Sequence, residues 1–150
     1  MPSLKLRNRF IWLMLAFGVI GFADSIYLTA KHYSGGVVPC ALTGGCETVL
    51  TSAYSIFWGL PLSLWGVFFY ITALVLIVLY YEKEKKLYLR LVWGLTSLSF
   101  LVSLVLLGLQ LFVLKAICLY CMVSLGSSFV LCFSSTALWL LQAKLNKLSN

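Results

Sequence analysis

Five cysteines carry the chemistry this sequence can offer: Cys40, Cys46, Cys118, Cys121 and Cys132. The sharpest signal is Cys118-Leu119-Tyr120-Cys121. A CxxC at a helix start puts one sulfur on the first turn and the other three residues later on the same face. The free N–H groups and the positive dipole end favour a thiolate there, and Lys115 adds a cation. The pair can instead be half of a zinc site, with Cys40 and Cys46 as the other ligands. Their six-residue separation is unusual for a zinc knuckle, and His32 is the sole histidine. Cys40 and Cys46 are either a structural staple or the moving half of a thiol shuttle. The flanking Ser34-Gly35-Gly36 and Thr43-Gly44-Gly45 predict a mobile loop, which suits a shuttle facing two partners. Cys132 lies about 16 Å deeper than Cys121 at helical rise and reads as a small hydrophobe.

The elements that must position these thiols follow from composition. Of 150 residues, 62% are apolar and only 10% are charged, and mean hydropathy is +1.02. Disorder is excluded, and too few polar residues exist to coat a soluble domain. The apolar runs fall at about 10–33, 60–81, 87–114 and 116–141, each near or above spanning length. In lipid each must be helical, so the expected fold is an all-α four-transmembrane-helix bundle. The chain reads as one domain over 1–150, with a loop at 34–59. Gly18, Gly21, Gly66, Gly94, Gly108 and Gly126 inside the runs permit close helix approach. A signal peptide is the alternative for the first run, with Gly21-Phe22-Ala23 as a passable cleavage site. The run resumes past Asp24, which favours a span.

The formal charge of +7 sets direction. One side of a four-span bundle collects Lys5, Arg7, Arg9, Lys83, Lys85, Lys86, Arg90, Lys144 and Lys147, and the other only Lys31 and Lys115. The expected topology therefore has both termini cytoplasmic, in an inner (plasma) membrane. The basic residues form no nucleic-acid surface. Cys40, Cys46, Cys118 and Cys121 then face the oxidising compartment, where thiol redox chemistry belongs.

Three further features are candidates. Asp24 inside a span is costly and so functional by default, as a proton relay or as a hydrogen-bonding group that holds the loop; Lys31, two turns on, can pair with it. Residues 49–58, with Phe57 among them, read as a short half-buried interfacial helix capping the bundle, or as an aromatic belt, or both. Gln110 faces either the bundle or a bound ligand, and His32 reads as interfacial.

Taken together, these positions resemble the vitamin K epoxide reductase family in its bacterial branch. The likeness covers nearly the whole chain. It includes Asp24-Ser25-Ile26-Tyr27-Leu28-Thr29, the Cys40/Cys46 loop pair, Glu47-Thr48-Val49-Leu50-Thr51-Ser52, Gly59-Leu60-Pro61 and the Cys118–Cys121 motif, in that order. The resemblance implies a bundle around a quinone (ubiquinone, menaquinone or a vitamin K type), closed on the outer side by the loop. It implies a soluble thioredoxin-like partner that hands electrons to the loop pair. Cys40 would meet that partner, Cys46 would form a mixed disulfide with Cys118, and Cys121 would be the thiolate facing the quinone. Ser52 would sit near the quinone or the redox centre. Animal members that reduce the epoxide carry an asparagine and a tyrosine where this chain has Leu62 and Leu125.

The expected activity is thus a thiol:quinone oxidoreductase that supports disulfide formation. Its quinone-side residues would be Cys121, Ser52, Phe57, Leu62, Gln110 and Leu125. No fused thioredoxin-like domain and no metal are expected. The alternatives are reduction of vitamin K epoxide or a related quinone, and a non-enzymatic bundle with structural disulfides or zinc.

Overall fold

The structure is a computed structural model that describes residues 2–36, 38–39 and 45–148. Cys40 lies outside the described residues. Four helices in it are long and apolar enough to cross a membrane, over Leu4–Ser34, Leu62–Lys83, Lys86–Leu114 and Leu119–Leu145. The protein is an all-α, multi-pass membrane bundle.

Helix α1 (Pro2–Ser34) begins earlier than the apolar run, because its polar first turns continue the same helix. At 33 residues it is about 50 Å long, more than a hydrocarbon core needs. The short helix α2 (Cys46–Leu50) follows, then a 3₁₀ turn at Ala53–Ser55. Strands β1 (Ile56–Phe57) and β2 (Leu60–Pro61) form a minimal antiparallel hairpin. Residues 49–58 are therefore not one interfacial helix, as the sequence pattern suggests. Trp58 and Gly59 both take positive φ, at 54° and 76°, which is the backbone a two-residue hairpin turn demands.

Helix α3 (Leu62–Lys83) starts straight from the hairpin and stops at Glu84, whose left-handed φ of 50° ends it. Helix α4 (Lys86–Gly108) returns, and its last stretch widens into a π-helical segment at Leu109–Leu114. Lys115 closes that segment at φ 49°. Helix α5 (Leu119–Leu148) starts three residues later than the apolar run. Helix α1 packs against α3 and α5, and α4 packs against the same two, so α1 and α4 stand diagonally opposite.

Two kinds of seam hold the helices. Between α1 and α3, small residues admit close contact. A Cβ on Gly66 would stand 2.7 Å from the Ser25 hydroxyl oxygen, and one on Gly21 would enter the Tyr70 ring. Gly94, Gly108 and Gly126 have open space beside them, so the expected close approach exists at only part of the glycine set. Between α4 and α5, hydroxyls pair: Thr96 Oγ1 with Ser135 Oγ at 2.9 Å, and Ser99 Oγ with Ser128 Oγ at 3.2 Å. Such pairs contribute about 0.6 kcal/mol each inside a membrane. Ile11, Met14, Ile77, Leu89, Val92, Leu131 and Leu138 fill the core towards the Glu84–Lys85 turn.

Candidate redox centre and cavity

At the opposite end, the start of α5 builds the centre. Cys118 is the residue before the helix, and its carbonyl accepts the Met122 N–H at 3.1 Å, the first turn's bond. Its sulfur occupies the place of a capping side chain. It hydrogen-bonds the Cys121 side chain and the backbone N–H groups of Cys121 and Tyr120. These contacts draw the Cys118 thiol down to about 7, the Cys121 thiol first and the two N–H groups after it. Burial and the Asp24 carboxylate push the other way. The thiolate-favouring contacts at the helix start fall on Cys118.

The two cysteines of the motif face different neighbours. Cys118 is fully buried, in a cluster with Leu28, Val38, Val49 and Cys46. Cys121 lines a cavity of about 620 Å³. Cys46 is disulfide-bonded, whereas Cys118, Cys121 and Cys132 are free thiols. A disulfide-bonded Cys46 offers no thiolate to a zinc ion. Among the described residues no cluster of three or more metal-ligating side chains forms. Cys132 stands apart on α5, 3.8 Å from the Ser97 hydroxyl.

Gly45 explains how α2 reaches Cys118. A Cβ there would lie 2.8 Å from the Ile117 carbonyl oxygen and 3.0 Å from its nitrogen. Only glycine lets the residue before Cys46 press on the backbone before Cys118. The glycine-rich sequence predicts mobility at Gly45, whereas the structure buries it in a contact.

The cavity is walled by α1, α3, α4 and α5 and covered by α2 and the turn after it. Asp24, Ser52, Leu62, Gln110, Cys121 and Leu125 all line it. Phe57 does not. It is 56% exposed on the hairpin, stacked on Trp58 with centroids 5.8 Å apart, and its carbonyl accepts the Trp65 indole N–H. The expectation that Phe57 contacts the ligand is corrected: β1 turns its ring outward.

Asp24 Oδ2 is buried with no hydrogen-bond partner. The expected pairing with Lys31 does not form: the Lys31 ammonium sits 5.8 Å above the Tyr27 ring, and that ring packs on Tyr120. His32 is exposed at the cavity mouth beside Tyr33. Gln110 is 3% exposed, and its Oε1 accepts the Cys118 N–H at 2.9 Å.

Sequence reasoning missed Tyr70. Its ring lies on Gly21 and its hydroxyl meets both the carbonyl and the hydroxyl of Ser124 at 3.2 Å. It floors the cavity, with the filled core beneath. The signal was present as a tyrosine in α3 opposite a glycine in α1, but nothing in one sequence pairs them.

The Vitamin K epoxide reductase family model matches residues 12–136, which spans all four helices and both cysteine regions described above. The chain belongs to the vitamin K epoxide reductase family. It is therefore a multi-pass membrane redox enzyme of the oxidoreductase class. Members of this family use quinone-type substrates or cofactors. No curated protein matches the chain.

Proposed function

We propose that the protein is a thiol:quinone oxidoreductase that regenerates a disulfide-forming partner. The observation that carries this reading is the division of labour in the CxxC. Cys118 is turned to the Cys46 cluster and Cys121 to the cavity. One sulfur can exchange with the loop while the other meets an acceptor.

In this reading a soluble thioredoxin-like dithiol outside the membrane reduces the loop disulfide through Cys40. Cys46 then exchanges with Cys118 through a mixed disulfide, and electrons pass to the Cys118/Cys121 pair. The dithiol Cys118/Cys121 loses two electrons and two protons and closes one S–S bond. The acceptor takes up both electrons and both protons.

The cavity suits a quinone. Its volume of about 620 Å³ lies within the usual range for small-molecule sites, and a few polar groups stand in apolar walls. Leu62 and Leu125 would flank the ring, and Ser52 and Asp24 would meet its oxygens. Asp24, whose Oδ2 is buried without a partner, would hand on a proton. A quinone would supply the two-electron sink that the residues themselves lack. By the resemblance, Leu62 and Leu125 would stand where epoxide-reducing members carry polar residues, which favours plain quinone over epoxide. The charge split proposes cytoplasmic termini and a plasma (inner) membrane location.

The test is steady-state quinone reduction by purified protein with a thioredoxin-like dithiol donor. Alanine at Cys40, Cys46, Cys118 or Cys121 should each abolish turnover, and Cys132→Ala should not. Full activity in Cys121→Ala would overturn the reading.

A further inference from the structure

The Cys118 sulfur uses the N–H groups of Tyr120 and Cys121, two of those that the start of α5 leaves free. Cys121 lies one turn inside the helix and gets none of them. A sulfur that must give up its proton in a largely apolar wall needs a donor of its own. The structure provides one, and it comes from a different helix.

Gln110 sits in the π-helical segment that ends the third span. Such one-turn widenings recur at functional sites. The backbone carbonyl of Gln110 accepts the N–H groups of both Lys115 and Ala116 and so fixes the connection into α5. Its side-chain Oε1 accepts the Cys118 N–H at 2.9 Å. With the oxygen so committed, the amide has its NH₂ left for the Cys121 sulfur, which lines the same cavity wall. The side chain is 3% exposed, so an amide idle on either side would cost heavily.

We propose that Gln110 is the positioning residue of the redox centre: through Oε1 it holds the start of α5 at Cys118, and through its NH₂ it supports the Cys121 sulfur. The inference rests on the reading of Cys118/Cys121 as the redox pair, and is independent of which acceptor the cavity takes. In each turnover both thiols lose a proton and together two electrons to form the S–S bond, and the acceptor receives them. The donor on Cys121 steadies its sulfur while the proton is away, and the acceptor on Cys118 keeps the capping geometry that makes the other thiolate.

Two neutral substitutions in the full-length reduced protein test these roles. Gln110→Leu removes both contacts; Gln110→Met removes the donor and all but a weak acceptor while keeping the length of the side chain and adding no charge beside the thiols. Two readouts are needed, neither of which uses quinone. One is the rate at which Cys121 reacts with methyl methanethiosulfonate at a fixed pH, read by peptide mass. The other is the pH midpoint of Cys118, read from the ¹³Cβ shift of labelled cysteine. Loss of one hydrogen bond to sulfur should slow Cys121 about tenfold in both variants. The Cys118 midpoint should rise in both. Wild-type Cys121 rates in both variants would overturn the proposal, as would a fall in thermal stability with both thiol readouts unchanged. If Gln110→Leu does not fold, Gln110→Met decides alone: slow Cys121 with a raised Cys118 midpoint supports the proposal, and any other pattern refutes it. A protein that passes these tests yet fails to reduce quinone would refute the acceptor and leave the role of Gln110 standing.

Discussion

Towards the Glu84–Lys85 turn, the four helices close on a filled core of Ile11, Met14, Ile77, Leu89, Leu131 and Leu138. Arg7 Nη2 pairs there with Glu84 Oε1 at 2.8 Å, and Gln142 donates to the Tyr80 hydroxyl at 2.6 Å. Towards the cysteines, the same helices part around about 620 Å³, and a buried carboxylate oxygen stands without a partner. Tyr70 divides the two regions, its ring on Gly21 and its hydroxyl on Ser124. One half of the bundle is packed for stability, and the other gives packing up to hold an open volume, whose walls forfeit their contacts. Buried polar atoms without a hydrogen-bond partner occur in both, Arg7 Nε and Asn8 Oδ1 at the filled end and Asp24 Oδ2 at the cavity, so the cavity and not the unpartnered atom marks the functional half.

Substitutions should therefore act on different observables in the two halves. Leu131→Ala in the filled half should cost about 2–5 kcal/mol in unfolding free energy, since the buried chain has no room to be replaced. Cys121→Ala should abolish turnover while moving thermal stability little. Equal stability loss in both would remove the distinction.

The next effect in size belongs to the contact between α2 and the start of α5. Gly45→Ala drives a Cβ into the Ile117 carbonyl. It should cut turnover with the protein donor about tenfold to a hundredfold, as misplacement of reacting groups does. A small dithiol that bypasses the loop should reduce Cys118/Cys121 at the wild-type rate. Equal losses with both donors would show that the contact serves folding only.

Asp24→Asn should follow, with kcat lowered about tenfold or more by loss of a proton-carrying group. Its unfolding midpoint should hold or rise, because the buried Oδ2 has no hydrogen bond to lose. A lower midpoint with unchanged kcat would assign Asp24 to structure.

These expectations show how much was legible beforehand. The four spans were, because apolar length in lipid dictates helix. The CxxC at the start of α5 and Asp24 in the cavity wall were legible for the same local reasons. The hairpin at 56–61 was not: Trp58 is a bulky residue at positive φ, with no turn signal of its own beyond Gly59. Read as a helix, residues 49–58 pointed Phe57 at a ligand; read as a hairpin they turn it away. Tyr70 and Gly45 were invisible because each matters through a partner far along the chain.

The smallest effect is a shift in pH. The Cys118 thiol is drawn down to about 7, against about 8.5 for a free cysteine. Thiolate is present above that midpoint and lost below it. Closure of the Cys118–Cys121 disulfide, the step that uses the Cys118 thiolate, should therefore fade as pH falls through about 7, and the ¹³Cβ titration of Cys118 should show the same midpoint. A midpoint at the ordinary thiol value would remove the capping role of the α5 start.

The most direct test of the central claim is a single turnover. Fully reduced protein is mixed anaerobically with quinone, quinol is measured, and the cysteines are mapped by mass. One quinol should form for each new Cys118–Cys121 disulfide, and none in Cys121→Ala. Quinone left unreduced while both thiols stay free, or quinol formed equally by Cys121→Ala, would contradict it.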